Sequence, residues 1–302
     1  MIVVIGSINM DLVLRVPRMP LPGETLTGGA FRTIPGGKGA NQAVACARLS
    51  GKVAGAQQVA MVACVGDDAF GATLRAALVG DGIIDSHITT LPGVASGIAS
   101  ILVDDNGQNS IVIAGGANDL LSPAHIDAAQ GLIEQADIVV LQLETPMATV
   151  VHAIKLARSL GKTVVLNPAP AASLPEGVLE LVDYLIPNEI EAAMLAGVSP
   201  ECADVKALAG ALQKLGSDNV IITLGSKGAH AALYGGDFTF PAEAVQAVDT
   251  TAAGDTFIGG FVAGLASGMD EAEAIQQGQR AAAWSVTKPG AQTSIPHLHE
   301  LF

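Results

Sequence analysis

Short runs of Val, Ile and Leu alternate with longer stretches of helical period along most of the chain. This alternation restricts the fold more than any other feature. The apolar runs lie at 2–6, 59–65, 138–143, 163–167, 184–187 and 220–224. None alternates cleanly between apolar and polar residues, as expected for strands covered on both faces. Helical stretches lie between them at 40–49, 146–160, 189–196 and 205–215, and Gly161, Gly197 and Gly216 stand just beyond the last three. Glycines in those places are C-terminal caps. The pattern predicts a parallel sheet with helices on both faces and right-handed crossovers.

Two stretches break the rhythm. Residues 12–32 carry Val13, Leu14, Val16 and three prolines without a helical period. Residues 97–113 read as two strands joined at the Asp105-Asn106-Gly107 turn, a hairpin signal. Neither is followed by a crossover helix. Both are therefore expected in a small antiparallel sheet, inserted into one domain spanning 1–302 and able to act as a lid over the carboxyl ends of the main strands.

Composition narrows the partners. Half of the 302 residues are apolar, 15% are charged and 3% are aromatic, which describes a packed globular chain. The formal net charge of −14 argues against nucleic acid and anionic membranes, though glycine amides and one lysine can still bind a phosphate locally. Cys46, Cys64 and Cys202 are too few and scattered for a disulfide framework and read as reduced core thiols. No run reaches about 18 apolar residues, and the first residues read as a strand, not a leader; the expected location is the cytoplasm.

Four segments carry chemistry. In Asp249-Thr250-Thr251-Ala252-Ala253-Gly254-Asp255-Thr256-Phe257, small residues precede an apolar helix. A helix start offers unpaired N–H groups and partial positive charge, which suit a polyanion, and Asp255 there is either an N-cap or a base for an attacking hydroxyl. Pro35-Gly36-Gly37-Lys38-Gly39-Ala40-Asn41-Gln42 is a second close-approach loop or a simple turn before a helix. It is no Walker A loop, which would need glycine at 32 and Ser or Thr at 39, where Arg32 and Gly39 stand. Thr223-Leu224-Gly225-Ser226-Lys227-Gly228 ends a strand in a turn able to contact a nucleotide phosphate. In Gly6-Ser7-Ile8-Asn9-Met10-Asp11, Asn9 and Asp11 either bind hydroxyls or cap a turn, and the absence of Gly-x-Gly-x-x-Gly disfavours a dinucleotide-dependent oxidoreductase.

In this order the segments closely resemble the ribokinase branch of the PfkB carbohydrate kinase family, over essentially the whole chain. Residues 36–41 match the family's N-terminal signature and 249–257 its C-terminal one. Gln142-Leu143-Glu144, Asn167-Pro168-Ala169-Pro170, Pro187-Asn188-Glu189-Ile190-Glu191 and Gly290-Ala291-Gln292 match as well. The resemblance implies a ribokinase-like three-layer α/β/α fold with a mostly parallel central sheet and a small antiparallel β lid. It implies that Asn9, Asp11, Gly37, Lys38, Gly39, Ala40, Asn41 and Glu144 hold a sugar, ribose in this branch. Asp255 is then the base, and the amides of Ala252, Ala253, Gly254 and Asp255 form an anion hole for the γ-phosphate of ATP. Asn188, Thr223, Leu224, Gly225, Ser226, Lys227, Gly228 and Gly254 would meet the nucleotide, with Gln279 near the adenine.

The same resemblance implies magnesium placed indirectly through Glu191, with a solvated helix charge as the plainer reading of that residue. It also implies an activating potassium held by the Asp249 and Ser294 side chains and the Thr251, Ser285, Lys288 and Gly290 carbonyls. The lid implies a homodimer. Other kinases of the family, acting on deoxyribose, nucleosides, fructose derivatives or sugar acids, are the nearest alternatives. A non-catalytic sugar- or nucleotide-binding regulator on the same fold is the alternative of another class. His297 and His299 lack companion ligands and read as a solvated tail.

Overall fold

The computed structural model describes residues 1–51, 58–199 and 204–302, so Cys202 lies outside the described residues. The chain opens with β1 (Ile2–Ile5), β2 (Asn9–Arg15), β3 (Phe31–Gly36) and α1 (Lys38–Leu49). Next come β4 (Val59–Gly66), α2 (Ala69–Gly80), β5 (Ile84–Leu91), β6 (Gly97–Val103) and β7 (Asn109–Ala114). The middle holds α3 (Pro123–Ala128), α4 (Gln130–Ile133), β8 (Ile138–Leu141), α5 (Met147–Ser159) and β9 (Thr163–Leu166). After β10 (Tyr184–Leu185), α6 (Glu189–Leu195) and α7 (Val205–Lys214) follow β11 (Asn219–Thr223), β12 (Ala229–Leu233) and β13 (Gly236–Phe240). The long helices α8 (Ala253–Ala266) and α9 (Glu271–Ser285) complete the sequence.

Among the described residues the central sheet runs β13-β12-β11-β10-β9-β8-β1-β4-β5. Its pairings are parallel from β5 across to β11, and the β12–β13 edge is antiparallel. The expected strands form in place: β1, β8, β9 and β10 end one or two residues short of the expected carboxyl end, β4 runs one residue beyond it, and β11 is shifted by one. Successive side chains of β1 enter opposite cores: Ile2 and Val4 join one apolar cluster, Val3 and Ile5 the other. Burial on both faces is why the strand sequences are continuously apolar.

The lid sheet has the order β3-β2-β6-β7. It is mixed, not wholly antiparallel: β2 runs parallel to β6, from Asn9 opposite Gly97 to Arg15 opposite Val103. The topology explains this. β2 continues from β1 and β6 from β5, two strands that point the same way in the central sheet, so their extensions point the same way too. The outer strands β3 and β7 return antiparallel on either side. The lid thus rises from the carboxyl ends of the main strands.

Helix α8 packs closely on α1 and α9 at glycine positions. A Cβ on Gly259 would stand 2.8 Å from the Cys46 amide nitrogen of α1, and one on Gly260 2.8 Å from the Gly278 Cα of α9. Cys46 and Cys64 are buried thiols, and burial pushes them up to about 12 and about 11. Among the described residues no helix is long and apolar enough to cross a membrane.

The helix contact yields a stability test. Overpacking costs about 1–3 kcal/mol, which exceeds the ~1 kcal/mol that alanine gains over glycine inside a helix. Gly259→Ala is expected to lower the thermal unfolding midpoint. Gly210→Ala, in α7 with open space around it, is expected to raise it slightly. Circular dichroism melts of both variants check this, and an unchanged Gly259→Ala midpoint would mean that the helices part freely.

Candidate active site

Asp255 sits at the third position of α8, not at its cap. The cap is Ala252, a non-glycine residue held in the left-handed region (φ 60°, ψ 11°) without a side chain that can bond the helix end. Such backbone strain concentrates at functional sites. The Ala253 N–H donates to the Thr250 carbonyl at 3.2 Å, and the N–H groups of Ala252, Gly254 and Asp255 have no partner among the described residues. Three open amides and the helix dipole therefore face the same space.

The Asp255 carboxylate is buried, 7% exposed, and both oxygens are held. Asn41 Nδ2 donates to Oδ2 at 3.0 Å, and Gln42 Nε2 donates to Oδ1 at 3.0 Å. Burial pushes its pKa up, opposed by the Lys38 charge and these two donors, with Glu144 adding to the rise. Its N-cap reading is thereby replaced by that of a desolvated, oriented carboxylate.

The glycine–lysine loop supplies the opposite wall. Gly37 has φ 89°, and a Cβ there would stand 2.6 Å from the Asn9 backbone nitrogen, so the loop lies directly on the β1–β2 connection. Lys38 and Asp255 line one cavity of about 210 Å³ together with Asn188, Glu191, Thr223, Ala252, Ala253 and Gly254. Burial lowers the Lys38 pKa, but the Asp255, Glu144 and Glu191 charges outweigh it and leave the ammonium above its ordinary value.

Glu144 Oε2 accepts from the Ser7 hydroxyl at 2.6 Å and from the Lys38 amide at 3.0 Å. Asn9 is turned by Asn118, whose Nδ2 donates to Asn9 Oδ1 at 2.7 Å while its own Oδ1 accepts from the Ile8 amide. Asp11 is 8% exposed, and burial, then the Glu144 and Asp255 charges, push it up to about 7. Asn41 Oδ1 is buried without a partner. Gly39 and Ala40 bond back to Ser7, through its hydroxyl and its carbonyl, and are backbone of the same wall.

A second cavity of about 450 Å³ adjoins the first and shares Thr223, Thr250, Ala253 and Gly254 with it. Gly225, Ser226, Gly228 and Gln279 line it, with residues of the 242–247 segment, Phe257 and Ala283. Gln279 Nε2 donates to the Phe240 carbonyl. Leu224 and Lys227 are not brought in: Leu224 packs against the core, and the exposed Lys227 pairs with Glu189 at 3.4 Å. Asn188 and Glu191 form a reciprocal cap on α6, at 2.8 Å each way, so Glu191 is a half-buried cavity residue and not a solvated charge.

Asp249 is held below the usual carboxylate range against the effect of burial. The Thr251 hydroxyl and amide, the Gly290 amide and the Arg15 charge hold it there. Ser294 and Ser285 donate their hydroxyls to Ala291 and Ala282, the Ser285 carbonyl accepts the Lys288 amide, and the Lys288 ammonium lies over Trp284 and near Glu300. Among the described residues no cluster of three or more His, Cys, Asp or Glu could hold a metal. Gln42, Gln142, Asn167 and Ser7 stand in the motifs but take their roles only from the fold, and Asn118 lies outside every motif. Asn118 lies more than 100 positions from Asn9, in a stretch with no motif of its own.

The family model described as pfkB family carbohydrate kinase matches residues 1–298. A protein named Ribokinase from Haemophilus influenzae is 46% identical over 98% of this chain and 95% of its own. One named Deoxyribokinase from Salmonella typhi is 40% identical over 99% and 96%. The structure of a ribokinase from Thermotoga maritima superposes with a TM-score of 0.91 at 38% identity, covering 99% of this chain and 97% of that one. That of an Arabidopsis thaliana ribokinase complexed with ribose and ATP gives 0.89 at 32%, covering 99% and 96%. The chain belongs to the pfkB family of carbohydrate kinases.

Proposed function

We propose that the protein is an ATP-dependent ribokinase, transferring the γ-phosphate of ATP to the 5-hydroxyl of D-ribose to give ribose 5-phosphate. The observation that carries this reading is the buried, doubly anchored Asp255 carboxylate beside three open amides at the start of α8. Asp255 takes the proton of the 5-hydroxyl, whose oxygen attacks the γ-phosphorus in line as the bond to ADP breaks. The Ala252, Gly254 and Asp255 amides and Lys38 offset the charge on the transferring group. Positioning and electrostatics supply most of the acceleration in such transfers.

The sugar lies between Asn9, Asp11, the 37–41 loop and Glu144, and the unpartnered Asn41 Oδ1 accepts one of its hydroxyls. The nucleotide occupies the larger cavity, its phosphates at Gly225, Ser226, Gly228 and Gly254. Magnesium, when bound, neutralises phosphate charge. A hydrated dication suits a site with few direct carboxylates, held through water by Asn188 and Glu191. Potassium fits an all-oxygen set of the Asp249 and Ser294 side chains with the Thr251, Ser285, Lys288 and Gly290 carbonyls.

Residues 1–302 form one domain with the lid inserted, working in the cytoplasm, where buried thiols stay reduced. The lid pairs two copies. Phe31 and the β7 residues Ile111, Val112 and Ile113 are exposed on it, Val112 to 69%. Val112 is on the face of Phe31 and Ile111 and Ile113 are on the other, apolar surface of which a second lid would cover one face. The relatives named ribokinase and deoxyribokinase are both near enough that a coupled assay over a panel of sugars decides the acceptor, with ribose expected to be fastest.

Asp255→Asn is expected to lower kcat by about 10²–10⁴ with ATP affinity nearly unchanged by calorimetry. Wild type that binds ribose and ATP yet turns over no faster than the variant would be a regulator. Turnover should rise sharply when potassium replaces tetramethylammonium, and flat rates would remove the cation from the scheme. Sedimentation at micromolar concentration should give a dimer; a monomer refutes the lid pairing.

A further inference from the structure

We propose that Gln42 is a positioning residue for the Asp255 carboxylate, locked in its donating orientation by Gln142. This rests on Asp255 being the base. An amide side chain has one acceptor oxygen and one donor nitrogen, so the bond made by one end dictates what the other presents. Gln142 Nε2, just beyond β8, donates to Gln42 Oε1 at 2.6 Å. Gln42 Nε2 must then face the other way, where it donates to Asp255 Oδ1 at 3.0 Å and to Asn167 Oδ1 at 3.2 Å. Asn167 is fixed in turn, since its Nδ2 donates to the Ile186 carbonyl at 2.8 Å. A flipped Gln42 would set its oxygen against the Asp255 carboxylate and the Asn167 oxygen and lose both bonds. It would keep its bond to Gln142 only if that amide turned with it, as its unpartnered Oε1 permits.

The chain of amides is sealed. Gln42 is fully buried, Gln142 is 1% exposed and Asn167 7%. Gln142 Oε1 has no partner and fills the place a side chain on residue 6 would need, so Gly6 lets the network close. The network therefore runs from the carboxyl ends of β8 and β9 through α1 to the start of α8. It ties the reacting carboxylate to the central sheet, and a charge-assisted bond in a buried site both aims Asp255 and favours its ionised form. The charged groups facing Asp255 are Lys38 on α1, Glu144 beyond β8, Asp11 on β2 and Glu191 on α6.

The test is steady-state kinetics across pH for Gln42→Met, Gln142→Met and the double variant, beside Asp255→Asn. Gln42→Met is expected to lower kcat by roughly tenfold or more, with KM for ATP within about twofold. Losing a donor to the carboxylate raises its pKa, so the acid limb of kcat should move to higher pH by about one unit. Gln142→Met frees the Gln42 amide to turn without emptying the volume beside Asp255. It should shift kcat and the acid limb the same way by less, and the double variant should be no worse than Gln42→Met. An unmoved acid limb in folded variants, or strictly multiplicative losses in the double variant, overturns the proposal while leaving the base intact. An Asp255→Asn enzyme as active as wild type would instead overturn the base itself.

Discussion

The site depends on keeping one carboxylate charged where little water reaches it. Removing an ionised group from water is costly unless it is paired and hydrogen-bonded. Asp255 meets that condition with two amide donors from α1, the Lys38 charge and the open end of α8. The opposing terms are burial and the neighbouring acids. The balance leaves a carboxylate whose affinity for a proton is raised, which is what a base for a weakly acidic hydroxyl requires. A better solvated aspartate would hold its charge more easily and take the proton less readily.

That balance explains why the helices beneath the site are so bare. The donors to Asp255 come from α1 and the carboxylate from α8, so the two helices must approach to within reach of short side chains. Gly259 permits the approach on α8, and Gly260 and Gly278 let α9 brace it from behind. Larger residues would bury more apolar surface and gain stability locally, at the expense of the Asn41 and Gln42 contacts.

Much of this was legible in the chain. Apolar runs without alternation foretold strands covered on both faces, and the glycine-rich loops foretold where backbone must come close to a ligand. What the sequence hid were relations between distant residues. The parallel pairing of β2 with β6 follows from which main strands they extend, a fact of topology absent from the hairpin signal. Gln42 and Gln142 are 100 positions apart, and only the fold reveals that one orients the other. Asn118 and the 242–247 segment carry no motif because they act through where they are placed, not through residue type. Asp255 was ambiguous between cap and base because a local reading cannot see that Ala252 takes the cap.

The orientation of the polar groups also bears on which acceptor the site admits. Asn9 has its oxygen occupied by Asn118 and so turns its N–H₂ outward as a donor. Glu144 has one oxygen satisfied by Ser7 and Lys38, while Asn41 Oδ1 waits as an acceptor. Hydroxyls, which donate and accept at once, match such a mixture. A sugar acid or a sugar phosphate would bring its charge toward Asp11, Glu144 and Asp255, with Lys38 already shared among the acids. Like charges at short range in a desolvated site repel strongly. Asp11 carries the argument furthest: burial first, and then the Glu144 and Asp255 charges, push it up to about 7, and another anion would add to the repulsive part. The acid-rich wall thus selects a neutral polyol on one side of the base, while the bare amides of α8 receive the phosphate on the other.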